Sequence, residues 1–379
     1  MKKALVVLPT YNEAGTIKKL IEDILLQNQK VTNWEIEVLI NDSSSTDDTA
    51  KLVKELQKKY SKKIYLLETK KEGLGKAYHQ AFIYAIEHIQ PFVIIQMDAD
   101  FSHNPNDIPL FLNEIAKGAD MVVGARYIKG GSIQKNWGIH RKILSVFANL
   151  TIRLGFMKLN VHEWTNGYRA IKIWLIKDSL NHIKNYSGYV FQIAMLDYAI
   201  KKGAKLAEIP NNFIDRKYGK SKIFVSQYIL QIFAYIFSYS SFIKFVIVGL
   251  IGFAVDFSFA YLFINKLHIA KALANMYSAE LAIFFNFMLN NFWSFKDKKI
   301  IGGFFAYLIK FITFNFVSSG SIIIQGVGLS LALKFIGDKN FHLFNANISS
   351  WIIYKILIIA FIIIPYSYIL YNKFIWKKS

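Results

Sequence analysis

Four apolar runs, roughly residues 242–264, 270–292, 305–333 and 348–370, constrain this chain more than any other feature. Each is long enough for the ~20 apolar residues that a helix needs to cross a hydrocarbon core. Lipid offers no partner to a bare backbone N–H or C=O, so such runs must be helices. Residues 242–379 are therefore expected to form an all-α, four-span membrane domain. Before about Ile223 the text is rich in Lys, Asp and Glu; after it Ile, Phe, Leu and Val dominate, so the 53% apolar content averages two unlike parts. Four spans return the chain to the side it left. The basic stretches 216–222, 296–299 and 373–378 then share the cytoplasmic side, as the positive-inside rule requires, although the opposite loops hold some Lys too. Residues 223–241 lack charge but carry several Ser and Gln, and read as in-plane interfacial helices. A fifth span is the alternative.

Residues 1–222 read as a separate α/β domain. Apolar runs at 4–8, 35–40, 64–67 and 92–97 alternate with helical segments at 15–29, 47–60 and 75–89. In the first helical segment Ile17, Leu20, Ile21, Ile24 and Leu25 share one face. This alternation predicts a mostly parallel sheet flanked by helices. Such sheets bind ligands beyond the carboxyl ends of their strands, so the loops after each strand are the informative ones. They read Pro9-Thr10-Tyr11-Asn12-Glu13, Asn41-Asp42-Ser43-Ser44-Ser45-Thr46-Asp47, Lys71-Glu72-Gly73-Leu74-Gly75-Lys76-Ala77 and Asp98-Ala99-Asp100. Carboxylates, hydroxyls and a Gly-rich turn thus share one rim. No signal-peptide pattern is visible at the N-terminus, and the α/β part is expected on the cytoplasmic side.

The chain has no cysteine, which excludes disulfides, thiolate nucleophiles and Cys-bound metal. Its formal net charge of +20 calls for an anionic partner. The basic residues are dispersed and no nucleic-acid-binding motif is present, so a phospholipid surface, a nucleotide diphosphate and a lipid phosphate are the expected partners. Asp98 and Asp100, one residue apart at a strand end, are placed to face one hard cation. Mg²⁺ or Mn²⁺ is the expected cofactor, since Mg²⁺ is typically held by one or two carboxylates plus substrate phosphates. Alone the pattern is weak, and two Asp residues in a solvated turn are the bland alternative. Gly73-Leu74-Gly75-Lys76 lacks the Lys-Ser/Thr of a phosphate loop and by itself reads as a turn before a helix.

Taken in order, these loops resemble the inverting family 2 glycosyltransferases of GT-A fold, above all the polyprenol (dolichol) phosphate mannose synthases. The resemblance continues through Gly124-Ala125-Arg126-Tyr127, the Arg141…Ser145…Asn149 segment, Thr165-Asn166-Gly167-Tyr168-Arg169, Gly188-Tyr189-Val190-Phe191-Gln192 and Arg216…Gly219-Lys220-Ser221-Lys222. It implies that Pro9, Tyr11, Glu13, Asp42, Gly75 and Lys76 hold the nucleotide. Asp98 and Asp100 would bind metal, with Ala99 along the diphosphate. Arg126, Arg141 and Ser145 would hold the acceptor phosphate, and Arg216 and Lys222 the donor diphosphate. Ser102-His103 after Asp100 points to GDP-mannose as donor and dolichyl or polyprenyl phosphate as acceptor; UDP-glucose is the alternative. Three departures stand out: Asn41 where a first Asp is usual, Glu163 where Asp is usual, and Ala194 where Glu usually follows Gln192.

Phe245-Val246-Ile247-Val248-Gly249 through Asp256, with Asn286…Asn290-Asn291-Phe292-Trp293-Ser294-Phe295, resembles the four-span GtrA-type family. Asp256 and Glu280 would lie in or near the bilayer, either as functional carboxylates or in hydrogen bonds between helices. A different class of function, translocation of a lipid-linked sugar, would make this half the working part. A processive polysaccharide synthase would carry Gln-x-x-Arg-Trp, which is absent.

Overall fold

The computed structural model describes residues 1–134, 138–213, 225–343 and 346–377. The chain divides into two compact units, Met1–Ile236 and Phe237–Ser379.

The first unit opens with β1 (Lys2–Thr10), α1 (Ile17–Leu26), β2 (Trp34–Asp42), α2 (Thr49–Lys59), β3 (Ile64–Glu68), α3 (Leu74–Tyr84) and β4 (Val93–Gln96). It continues with α4 (Ile108–Ala116), β5 (Met121–Ala125), α5 (Ile139–Gly155), β6 (Arg169–Lys172), α6 (Ile173–Ile183), α7 (Val190–Lys202), β7 (Leu206–Pro210) and α8 (Val225–Tyr239). Seven strands form one sheet in the order β3-β2-β1-β4-β6-β5-β7. All neighbours are parallel except β6, which runs antiparallel to both β4 and β5.

Residues Ala4–Leu8 are buried without exception, the continuous apolar reading of a strand covered on both faces. Ile17, Leu20, Ile21 and Ile24 of α1 close one of them. Strand β1 passes through Pro9 and ends at Thr10, two residues later than its apolar run. Pro9 lies beyond Val7↔Gln96, the last pairing with β4, so its missing N–H removes no bond to that neighbour. The sequence leads outward from β1 through β2 to β3, then resumes on the other side of β1 with β4. The carboxyl ends of β1 and β4 are therefore the switch point, where doubly wound sheets take their ligands.

Helix α8 has 15 residues, about 22 Å at the helical rise and short of a bilayer core. It buries Ile232, Tyr235 and Ile236, and Tyr235 Oη donates to Asp197 Oδ2 of α7 at 2.9 Å. One face of this helix therefore belongs to the first unit.

The second unit holds α9 (Ser241–Asn265), α10 (Lys271–Leu289, helical on to Ser294), α11 (Phe304–Phe335), a hairpin of β8 (Asn340–Leu343) and β9 (Ala346–Ser349), α12 (Ser350–Ile358) and α13 (Ile364–Phe374). A π-helical turn, Ile359–Ile363, joins α12 and α13 into one rod. Among the described residues four helices are long and apolar enough to cross a membrane: Ser241–Asn265, Lys271–Ser294, Phe304–Phe335 and Ser350–Phe374. Asp256 of α9 accepts a hydrogen bond from Ser278 Oγ of α10 at 2.6 Å, an interhelical bond. Trp376 is fully buried, stacks on Phe295 with centroids 4.4 Å apart, and donates Nε1–H to Asn291 Oδ1 at 3.0 Å.

Candidate active site

The first two loops of the rim are tied into one body. Thr10 and Asp42 are paired across β1 and β2, and Thr10 Oγ1 donates to Asp42 Oδ1 at 2.9 Å. Asp42 also accepts from Ser45 N (2.9 Å) and Ser45 Oγ (2.5 Å). From the first loop, Asn12 N donates to Ser45 Oγ, Glu13 N to Thr49 Oγ1 and Ala14 N to Asp47 Oδ2, at 2.9, 2.9 and 3.1 Å. The Ser/Thr/Asp run after β2 therefore fixes the backbone of the loop after β1, a role that its composition alone does not disclose. Asn12 and Ser44 have φ of 59° and 57°, a conformation that costs a residue with a Cβ about 1–2 kcal/mol, less for Asn. The surrounding bonds hold it. Tyr11 lies beneath Lys71, whose Nζ is 3.5 Å from the ring centroid, a cation–π contact joining the first and third loops.

Gly75 and Lys76 turn toward the segment before α7. Gly75 N donates to Ser187 O at 2.8 Å, and a Cβ on Gly75 would sit 2.0 Å from Tyr186 O. Only glycine permits that approach. Lys76 Nζ donates to Lys184 O at 2.8 Å.

The Asp-x-Asp loop is held from several sides. Ala99 O accepts from Thr16 Oγ1 at 2.9 Å, which ties the start of α1 to this loop across the switch point. Asp98 N donates to His103 Nδ1 at 3.0 Å, so that nitrogen carries no proton. The ring proton is then on Nε2 and donates to Asn166 Oδ1 at 3.0 Å. Asn166 in turn donates from Nδ2 to Gly124 O (2.6 Å) and to Asn211 Oδ1 (3.0 Å). His103 is buried and stacks on Tyr168 with centroids 4.8 Å apart. A neutral histidine thus braces the Asp98 backbone from below. Asp100 Oδ1 accepts from Ser102 N at 3.0 Å, and Phe101 between them takes φ 65°.

These oxygens fit a hard divalent cation. The Asp98 side chain is 40% exposed, Asp100 is 6% exposed, and the buried Ser102 Oγ has no partner among the described residues. No group of three or more His, Asp or Glu side chains gathers as a metal cage among the described residues. The arrangement is the kind that shares an ion with substrate phosphates.

Arg126, just past β5, is clamped. Its Nε and Nη2 donate to Glu163 Oε2 and Oε1 at 2.8 and 3.0 Å, and Nη2 also donates to Thr165 Oγ1 at 2.8 Å. The two side chains are 9% and 0% exposed. Burial pushes the Glu163 carboxyl up, but the Arg126 charge and hydrogen bonds outweigh it and hold the group below the ordinary carboxylate range. Burial works against the Arg126 charge too, and Glu163 more than offsets it, raising that guanidinium. Nη1 of Arg126 donates to no atom among the described residues. Tyr127 Oη and Ser145 Oγ of α5 lie 2.7 Å apart, which brings Ser145 to the residue beside Arg126. Arg141 lies on α5, but its side chain is outside the described residues, as are Arg216 and Lys222 altogether. Ala194 is fully buried in α7 and presents no polar group where the resemblance expects Glu.

Two family models match the chain: "Glycosyl transferase family 2" over residues 5–182 and "GtrA/DPMS, transmembrane domain" over residues 244–376. A dolichol-phosphate mannosyltransferase of Pyrococcus furiosus is 32% identical over 317 residues, which are 82% of this chain and 85% of that one. The chain belongs to the polyprenol-phosphate mannose synthases of glycosyl transferase family 2. It is accordingly a glycosyltransferase and a membrane protein. A polyprenol monophosphomannose synthase of Mycolicibacterium smegmatis is 31% identical over 223 residues, 59% of this chain and 81% of that one. Among solved structures, glucosyl-3-phosphoglycerate synthase of Mycobacterium tuberculosis is similar at 19% identity, with a TM-score of 0.46 over 62% of this chain and 79% of that one.

Proposed function

We propose that this glycosyltransferase moves mannose from GDP-mannose to the phosphate of a dolichyl or other polyprenyl lipid, inverting the anomeric configuration. The relatives act, by their names, on dolichol phosphate and polyprenol monophosphate. The observation that carries the lipid acceptor is helix α5. Ile139, Ile143, Phe147, Leu150 and Leu154 form an exposed apolar stripe on it, with Ile139 76% and Phe147 59% exposed. The opposite side of the helix presents Ser145 to Tyr127 and buries Asn149 and Ile152. A helix with an exposed apolar stripe on one side and Ser145 on the other suits a prenyl phosphate: isoprene units against the stripe and the phosphate on Arg126 Nη1, with Ser145 and Arg141 as further donors.

In this reading Asp42 and the loop that it organises hold the nucleoside, and Asp98 and Asp100 hold Mg²⁺ or Mn²⁺ against the diphosphate. The ion, when bound, offsets charge developing on the leaving GDP. A phosphate oxygen of the acceptor attacks the anomeric carbon from the face opposite the diphosphate, forming one C–O bond as the other breaks. The second phosphate pKa is near 6, so the acceptor is mostly a dianion at neutral pH and needs no general base. The buried, apolar Ala194 is compatible with that. Arg216 and Lys222 stabilise the departing diphosphate, with the catalytic unit on the cytoplasmic side where sugar nucleotides are made.

The test uses the full chain in detergent with Mn²⁺ and polyprenyl phosphate, and follows label from GDP-mannose or UDP-glucose into the organic phase. Label from GDP-mannose, lost in Asp100→Ala, supports the proposal. Label from UDP-glucose alone overturns the donor, and no label from either overturns the transfer.

A further inference from the structure

Strand β6 is the one strand of the seven-stranded sheet that runs against its neighbours, and this decides where its incoming loop goes. It lies between β4 and β5, with Arg169 paired to Gln96 on one side and to Val123 on the other. Being antiparallel to both, it starts where they end. The residues just before it are therefore delivered to the rim between Asp98, two residues past β4, and Arg126, just past β5.

Asn166 stands in that loop with every polar atom engaged. Its Oδ1 accepts from His103 Nε2 at 3.0 Å and from Tyr168 N at 3.2 Å, and its Nδ2 donates to Gly124 O at 2.6 Å and to Asn211 Oδ1 at 3.0 Å. Its backbone N donates to Glu163 Oε1 at 3.1 Å, and its O accepts from Arg169 Nε at 2.8 Å. A carboxamide offers two donor hydrogens and two acceptor lone pairs; here all four are used, and the residue is buried. The packing around it is close. A Cβ on Gly124 would lie 3.4 Å from Asn166 Nδ2 and 3.2 Å from Asn211 Cβ.

Two of these bonds reach the two halves of the reaction. Through His103, whose Nδ1 accepts from Asp98 N, Asn166 holds the backbone of the Asp-x-Asp loop. Through Glu163, whose carboxylate clamps Arg126, it holds the guanidinium proposed for the acceptor phosphate. An unbroken chain of hydrogen bonds thus runs from Asp98 through His103, Asn166 and Glu163 to Arg126, every link between 2.8 and 3.1 Å. Its three middle members are buried.

We infer that Asn166 is the positioning residue that sets the acceptor phosphate in register with the metal-bound donor, by joining the Asp98 backbone to the Arg126 clamp. The inference rests on the proposed mannosyl transfer and adds to it what fixes the attacking oxygen relative to the anomeric carbon. In this scheme Asn166 touches neither substrate, so its loss spares the binding of each and costs the alignment of the two. A misplacement of about 1 Å at the reacting atoms lowers a rate about 100-fold.

The experiment uses the full chain in detergent with Mn²⁺, GDP-mannose and polyprenyl phosphate, and compares wild type with Asn166→Ala, His103→Asn and the double variant. It reads kcat, KM for each substrate, and the Kd of GDP with Mn²⁺. His103→Asn keeps a side-chain acceptor near Asp98 N and loses the reach to Asn166, so it cuts the chain at one link. In each single variant kcat is expected to fall about 10- to 100-fold, while both KM values and the GDP Kd stay within about threefold of wild type. The double variant should be no slower than the slower single one, because both changes cut the same chain. His103→Asn decides the matter should Asn166→Ala fail to fold. A kcat within about threefold of wild type in the folded variants, a loss that appears in KM or in the GDP Kd instead, or losses that multiply in the double variant overturn the inference. Absence of any transfer from GDP-mannose by wild type overturns the donor reading and the register with it; transfer by wild type with kcat unmoved in the variants overturns the register alone.

Discussion

Glu163→Gln isolates the buried ion pair beside the acceptor site. Five donors converge on the Glu163 carboxylate: Nε and Nη2 of Arg126, N and Oγ1 of Thr165, and N of Asn166, all within 2.8–3.1 Å. An amide of the same shape turns one acceptor oxygen into a donor facing donors, and leaves the buried Arg126 cation without a counter-charge. Removing one partner of a buried pair costs about 3–5 kcal/mol. For a unit of the size of Met1–Ile236, each kcal/mol is worth about 2–4 °C, so the catalytic unit should melt roughly 6–20 °C lower. Near-ultraviolet circular dichroism reads this transition through Trp164, which is fully buried and stacked on Phe156 at 5.4 Å. Glu163→Asp keeps the charge and should lose less. The pH dependence gives a second check. The Glu163 carboxyl is lowered in the folded state, so its contribution is complete above the ordinary value of about 4.3 and is lost as pH falls through the lower folded value. Glu163→Gln should lack that acid limb, while Arg126, raised by its partner, stays charged throughout. A melting point within about 2 °C of wild type, with the acid limb intact, would refute the reasoning.

Three more outcomes are expected. Asp100→Ala should lower transfer at least about 100-fold, the scale of losing a preorganised charge at the reacting centre, in an assay titrated with Mn²⁺. Thr10→Val removes one of the bonds to Asp42 and should weaken donor binding about fivefold, the equivalent of one modest hydrogen bond, read as KM for GDP-mannose with kcat little changed. Trp376→Ala removes the stack on Phe295 and one of the two hydrogen bonds to Asn291 Oδ1, leaving the one from Ile300 N; about 3–5 kcal/mol should be lost from the membrane unit, seen as greater protease sensitivity of 237–379 while the catalytic unit melts as before.

The strand alternation and the four apolar runs were legible because each is a local pattern. Boundaries were legible to within a few residues: β1 outran its apolar text through Pro9, and the third span reached Phe335 rather than 333, the helix continuing through Lys334. The hairpin of β8 and β9 was not legible, since Asn340–Leu343 and Ala346–Ser349 are short and bear no turn signature that composition would single out. The reading of 223–241 as interfacial carried no hint that Tyr235 is fastened to Asp197, a partner 38 residues away.

At the site, sequence alone determined which chemistry is available: two carboxylates one residue apart, oxygen-rich loops after parallel strands, an arginine beyond β5, and a membrane half. Those follow from residue type and strand order, which the chain states directly. Tertiary structure decided what each group is engaged with. Glu163, unusual in the sequence, became the counter-charge of Arg126 because β5 and the loop before β6 meet in a dry interior, where a cation needs a partner. Lys76 went to the Lys184 carbonyl, and His103 became a brace whose tautomer is set by an amide on one side and Asn166 on the other. Such assignments depend on distances between residues remote in sequence, and only the packing of sheet against helices fixes them.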